Sequence, residues 1–300
     1  MLWQLPDLKL APDVIFYIGP MPVTNTLLCT WLTAIVLFAI FYFGARKRAL
    51  IPGRFQSTVE YLVEFMLGLV DSVMGSREKG KKFFPLVATF FLFILFANLL
   101  DIFPGVDTIG QIDTARIQAD HAQGTVIGGF LLFGGLSNKI IPWIRPATSD
   151  INLTLSMALI SVIVTQIFGF IALGPGVHIG KYLNFRALFT GGFGGFIQFF
   201  VGIVEIISEL ARIISFSFRL FGNIFAGSAV LAVFAFLLPF AADIIFIPFE
   251  LFVAFVQALV FALLTLVFMQ IATSSHEHVE QKPETGEFVE KGEPTPLATH

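Results

Sequence analysis

Charge is what this sequence most lacks. Only 13% of its 300 residues are Asp, Glu, Lys or Arg, about half the share found in a soluble domain. So little charge excludes an ordinary water-facing surface, and 56% of the residues are apolar. Cysteine is almost missing: Cys29 stands alone inside an apolar run, which excludes an intramolecular disulfide and a cysteine-based metal site. Tyr (4 copies) and Trp (3) are scarce beside 37 Phe, a bias that suits contact with lipid. A secretory-signal pattern is also lacking, because Asp7, Lys9 and Asp13 precede any long apolar run and no small-residue cleavage site follows. The first apolar segment is therefore expected to stay as a membrane span.

What the chain does have is a series of apolar runs. About 20 such residues cross the hydrocarbon as a helix, and five regions are long enough: Thr26 to Phe43, Phe84 to Phe103, Ile151 to Leu173, Gly191 to Pro239 and Ile244 to Thr273. The fold expected is an all-α integral membrane protein with about five membrane helices. The fourth region is long enough for one steeply tilted helix or a broken one. Between the first two runs, Phe55 to Met74 places Val59, Leu62, Val63, Met66, Val70 and Val73 at helical spacing, with Glu60, Glu64 and Asp71 on the other side. That pattern predicts an interfacial amphipathic helix. The glycine-rich stretch Thr125 to Leu136 is too short to cross and is either re-entrant or a surface hairpin.

Loop charge sets the expected orientation. With the N-terminus outside, the inner loops hold ten Lys or Arg (Arg46, Lys47, Arg48, Arg54, the four between 77 and 82, Lys181 and Arg186) and the outer segments hold four. The organisation expected is an outer N-terminal segment over 1–25, a membrane domain over 26–275 and an acidic, disordered cytoplasmic tail over 276–300.

An ionisable group inside a span costs about 2.5–3.5 kcal/mol on insertion scales, so each one needs a reason. The fourth region holds Glu205, Glu209, Arg212 and Arg219, with Asn223 one turn on. On a 3.6-residue period these five fall within an arc of about 80° and extend over about 27 Å. One polar stripe therefore reaches nearly across the bilayer. Glu209 and Arg212, or Glu205 and Arg212, could be internal ion pairs. Arg219 has no carboxylate within four residues and is flanked by Phe216, Phe218, Leu220 and Phe221. A second stripe, Asp243, Glu250 and Gln257, repeats every seven residues in the last span. A short turn near Pro239 is expected to make the two helices antiparallel, with Glu250 offset from Arg219 by about 14 Å along the axis. Asn98 and Asp101 share a face of the second span. Asp150 is either a helix cap before the third span or a further polar site.

A guanidinium stays protonated, so it cannot relay a proton and repels a passing cation. It can hold a partner's carboxylate ionised and so discharge it. A carboxylate path interrupted by such a group describes two half-paths with a barrier between them, the ion being carried past by another protein.

The run SFRLFGNIFAG, Ser217 to Gly227, resembles the arginine motif of subunit a, the ion-channel stator subunit of F-type rotary ATP synthases. FANLLDIFPG (Phe96 to Gly105), SDINLTLSMAL (Ser149 to Leu159) and IPFELFVAFVQALVF (Ile247 to Phe261) are similar to that family's second, third and last spans. The resemblance implies a proton-translocating subunit with two offset half-channels. Arg219 would face the carboxylates of a c-subunit ring, and Glu205 would lie in the inner half-channel. Asn98, Asp101, Asn223, Glu250 and Gln257 would lie in the outer half-channel or its junction with the ring. It also implies a strongly tilted hairpin of the last two helices, peripheral-stalk b subunits and the remaining synthase subunits as partners, and a bacterial inner membrane rather than an organellar one. No cofactor, metal or nucleic acid is expected, and no catalytic centre in the chain itself. Some members carry Glu in place of Ser228 and His in place of Glu250.

Two motifs carry no chemistry of their own. Gly191, Gly192, Gly194 and Gly195 follow no strand, so close helix packing suits them better than nucleotide binding. His276-Glu277-His278 lacks zincin spacing. The alternative reading is a proton-coupled secondary transporter, but such proteins usually show internal repeats, and here the buried charge gathers after residue 200.

Overall fold

A computed structural model of the chain describes residues 11–46, 53–102, 110–112, 125–127, 130–133, 140–174, 192–237 and 241–273. The expected acidic tail and the turn at Pro239 lie outside the described residues. Among the described residues the α-helices are α1 (Asn25–Arg46), α2 (Arg54–Met74), α3 (Arg77–Ile102), α4 (Ile151–Leu173), α5 (Gly192–Leu237) and α6 (Ala241–Thr273). By length and composition α1, α3, α4 and α6 can each cross a membrane. The fifth expected span is α5, one continuous helix of 46 residues, set apart from the other four by the polar stripe it carries. At 1.5 Å per residue it is about 69 Å long, more than twice the hydrocarbon thickness, so it must tilt steeply or leave the bilayer.

Local chemistry accounts for the helix ends. The Asp150 carboxylate accepts from the Asn152 N–H at 2.9 Å and caps α4. Gly174 closes α4 at φ +81 and Gly75 closes α2 at φ +67, a left-handed conformation that only glycine adopts cheaply. The α3 helix starts at Arg77, a turn and a half before its apolar run, because Ser76 accepts from the Lys79 N–H and the exposed lysine stems sustain helix outside the core.

The amphipathic reading of α2 holds in detail. Met66, Val70 and Met74 are buried, Val59, Leu62, Val63 and Val73 are partly buried, and Glu60 and Glu64 are exposed. Asp71 departs from the pattern. It is half-buried, with Oδ1 lodged against the Cα of Gly80, where a Cβ would have no room.

The core lies between α3, α4, α5 and α6, with α3 packed on α6 and α5 on α4. Phenylalanine fills it: Phe90 meets Phe261 with ring centres 5.3 Å apart, Phe83 meets Phe168 at 4.9 Å, and Phe216 meets Phe261 at 5.2 Å. Such offset and edge contacts contribute about 0.5–1.5 kcal/mol each beyond burial. Buried hydroxyls add interhelical bonds, Ser161 with Thr265 at 2.9 Å and Thr154 with Ser217 at 3.2 Å.

Short strands complete the described residues. A hairpin of β1 (Val14–Ile18) and β2 (Met21–Thr24) precedes α1, and the Asn25 N–H donates to the Asp13 carbonyl at 3.1 Å. Farther on, β3 (Gly110–Ile112) pairs with β6 (Ile140–Pro142), and β4 (Thr125–Ile127) pairs with β5 (Phe130–Phe133). Both pairings are antiparallel.

Candidate ion path

The α5 and α6 helices pair antiparallel over most of their length. Along the pair, Phe234 stacks near Phe246 (4.6 Å between ring centres), and the amide of Asn223 donates to Gln257 Oε1 at 2.7 Å. Farther on, the Arg212 guanidinium carbon lies 3.6 Å above the Phe268 ring. As the α5 number falls, its partner's number rises, the signature of a hairpin.

Glycine opens a gap in this seam. A Cβ built on Gly227 would lie 3.0 Å from Oε1 of Glu250, so the carboxylate rests against bare α5 backbone. From Gly227 back to Arg219 is about 12 Å along the helix, close to the offset expected from the sequence.

Beside this contact is a cavity of about 430 Å³, walled by α3, α5 and α6. Its polar lining is Asn98, Asn223, Glu250 and Gln257. Four residues from three distant stretches of sequence, all picked out as candidates, thus meet at one space. Apolar groups such as Phe246, Phe249 and Val230 make up the remaining wall. Asn98 and Gln257 are buried, and each has an amide nitrogen with no hydrogen-bond partner among the described residues. Buried donors are rarely left unpaired, and a roomy polar site satisfies them with water. The arrangement can therefore hold water and exchange a cation at the Glu250 carboxylate.

The other candidates stand elsewhere. Arg212 Nη1 donates to both carboxylate oxygens of Glu209, at 3.0 and 2.8 Å, so the Glu209–Arg212 ion pair forms. Glu205 lies one turn beyond Glu209 and about 27 Å from Asn223 along α5, outside the cavity lining. Arg219 lies between these two regions. It is half-buried, makes no ion pair among the described residues, and its guanidinium carbon is 5.8 Å from the centre of the Phe216 ring. Asp150 serves as a cap and also accepts from the Thr26 hydroxyl at 3.0 Å, tying α4 to α1. The side chains of Asp101 and Asp243 lie outside the described residues. Sequence reading missed Thr148, whose hydroxyl donates to Asn98 Oδ1 at 2.6 Å. Its place beside Asp150 was visible, but nothing in the sequence joins it to a residue fifty positions away.

The family model of the ATP synthase A chain matches residues 27–270. ATP synthase subunit a of Moorella thermoacetica is 28% identical over 267 residues, which cover 89% of this chain and 98% of that protein. The subunit a of Desulforamulus reducens is 31% identical over 286 residues, 92% of this chain and 85% of its own. A sodium ion specific subunit a from Propionigenium modestum is 29% identical over 289 residues, 91% of this chain and 82% of its own. These matches disfavour the secondary-transporter alternative. The chain belongs to the ATP synthase A chain family, subunit a of the F-type ATP synthases, and is the membrane-embedded, ion-translocating channel subunit of such a complex.

Proposed function

We propose that this subunit leads the coupling ion along two offset half-paths to carboxylates on a rotating ring of c subunits, with Arg219 as the barrier between them. The observation that carries this reading is the position of Arg219, unpaired among the described residues, between the amide-lined cavity at Glu250 and the carboxylate step at Glu205. An ion entering from outside meets Asp101 near the end of α3, then the cavity group of Asn98, Asn223, Glu250 and Gln257. It passes to a ring carboxylate and, after a turn of the ring, leaves on the Glu205 side. Arg219 meets each ring carboxylate and keeps it ionised between release and reloading. Glu209 and Arg212 form a fixed pair along the inner half, and Asp150 holds the outer ends of α1 and α4 together. The chain does no ATP chemistry; that belongs to other subunits of the complex.

The ring is placed on the exposed flank of α5 beside the polar stripe, where Val204, Ser208, Ala211 and Ser215 recur at helical spacing and are all exposed. A photo-crosslinking residue at Val204 or Ser215 in the assembled complex should capture the small ring subunit, and one at Ile163 on α4 should not. Capture from Ile163 alone would move the ring to another face.

The N-terminus is placed outside and the C-terminus in the cytoplasm of a bacterium, with peripheral-stalk b subunits and the rest of the synthase gathered around the chain. Cys29 is buried, so introduced thiols can be labelled against a quiet background. A cysteine at Lys82 should react with an impermeant maleimide only in inverted vesicles, and one at Tyr17 only in intact cells. The opposite pattern would reverse the orientation.

A further inference from the structure

We infer that Thr148 is a positioning residue for the ion path, acting through the Asn98 amide; the inference rests on reading the cavity at Glu250 as the outer half-path. Thr148 sits in the 3-10 turn Ala147–Ser149 that leads into α4, is fully buried, and does not line the cavity. Its hydroxyl donates to Asn98 Oδ1 at 2.6 Å. A hydroxyl has one hydrogen to give, and here it goes to the amide oxygen. That ties the oxygen end of the Asn98 amide to the turn before α4, while Asn98 Nδ2 is buried and has no partner among the described residues.

The opposite wall repeats the arrangement. Asn223 donates to Gln257 Oε1 at 2.7 Å, and Gln257 Nε2 is buried with no partner among the described residues. In both cases a neighbour occupies the oxygen end of the amide and the donor end remains. Two such donors in one lining call for an acceptor, and that lining also contains the Glu250 carboxylate. A water molecule that accepts from an amide N–H keeps its own two hydrogens to donate toward that carboxylate. Thr148 thus fixes the direction of hydrogen bonding along the path. Without the hydroxyl, the two ends of the Asn98 amide become nearly equivalent, and a turned amide would present an acceptor and reverse the sense of donation at that step.

Thr148→Val keeps the shape and removes the hydrogen bond. In an assembled complex it should slow ATP-driven ion pumping by about fivefold, the worth of one hydrogen bond, and Thr148→Ser should restore the rate. Because Thr148 acts through Asn98, adding Thr148→Val to Asn98→Ala should cost nothing further. A residue that merely supported the fold would cost the same in either background. If Thr148→Val fails to assemble, Thr148→Ala, which only removes atoms, carries the same test. Wild-type pumping in Thr148→Val, or an equal further loss in the Asn98→Ala background, would overturn the inference. Glu250→Gln, measured alongside, separates the two levels: normal pumping there removes the underlying reading of the cavity, whereas its loss beside an unaffected Thr148→Val removes only the role of Thr148.

Discussion

Vesicles carrying an Arg219→Ala complex are expected to make no ATP from an ion gradient and to let that gradient decay passively. The guanidinium is half-buried, with no carboxylate partner among the described residues, and an unpaired charge at this depth is costly to insert. A cation approaching within about 4 Å would meet a repulsion of about 4 kcal/mol at an effective dielectric of about 20, which slows crossing by about 10³-fold. Alanine removes that repulsion and also the group that discharges the ring carboxylate. Synthesis is lost because the ion no longer needs the ring's rotation to cross. Arg219→Lys should fail as well, because lysine lacks the planar fork and gives up its proton more readily when desolvated. The tests are ATP synthesis driven by an imposed gradient and the decay of that gradient without nucleotide. Coupled synthesis near the wild-type rate in Arg219→Ala vesicles would end the barrier assignment.

Much of this site was legible because membrane insertion makes polar residues conspicuous. Glu205, Arg219, Glu250 and Gln257 each interrupt long apolar runs, and helical periodicity alone sorts them onto two stripes. The α4 boundaries could be read from Asp150, a capping residue at the head of an apolar run. Distances between segments could not be read. Glu205 and Glu209 lie on the same stripe as Arg212, and only side-chain geometry shows that Glu209 is held by both its oxygens. Periodicity puts Asp71 on the polar side of α2, yet its carboxylate turns to the bare Cα of Gly80 in the next helix. The contact of Gly227 with Glu250 escaped for a similar reason: a glycine within an apolar helix announces close approach without naming what approaches. The continuity of α5 was ambiguous because 46 residues exceed one straight span, and the sequence contains nothing that chooses between tilt and a break.

Glu250→Gln should reduce ATP-driven ion pumping by about a hundredfold, the scale of losing a positioned proton-exchanging group, in a complex that still assembles. Glutamine matches glutamate in shape, so the seat against Gly227 and the packing of α5 on α6 survive, and only the capacity to bind and release a cation is lost. Among the described residues lining the cavity, no other side chain replaces that capacity. Asn98, Asn223 and Gln257 are amides, and the Ser228 hydroxyl is turned back to the Ile224 carbonyl at 2.8 Å. Arg219 lies about 12 Å along the helix from Gly227, too far for a direct ion pair to quench the carboxylate. The Ser228→Glu, Glu250→His double variant tests the same point by moving the carboxylate. It places an acid on α5 next to Gly227 and leaves a titratable ring on α6, so both walls of the cavity remain able to exchange a cation. Pumping should recover in part relative to Glu250→Gln, while Glu250→His alone should stay low. If the assembled Glu250→Gln complex pumps normally, the entry group must be Asp101 or Asp243, the remaining carboxylates near the outer ends of α3 and α6.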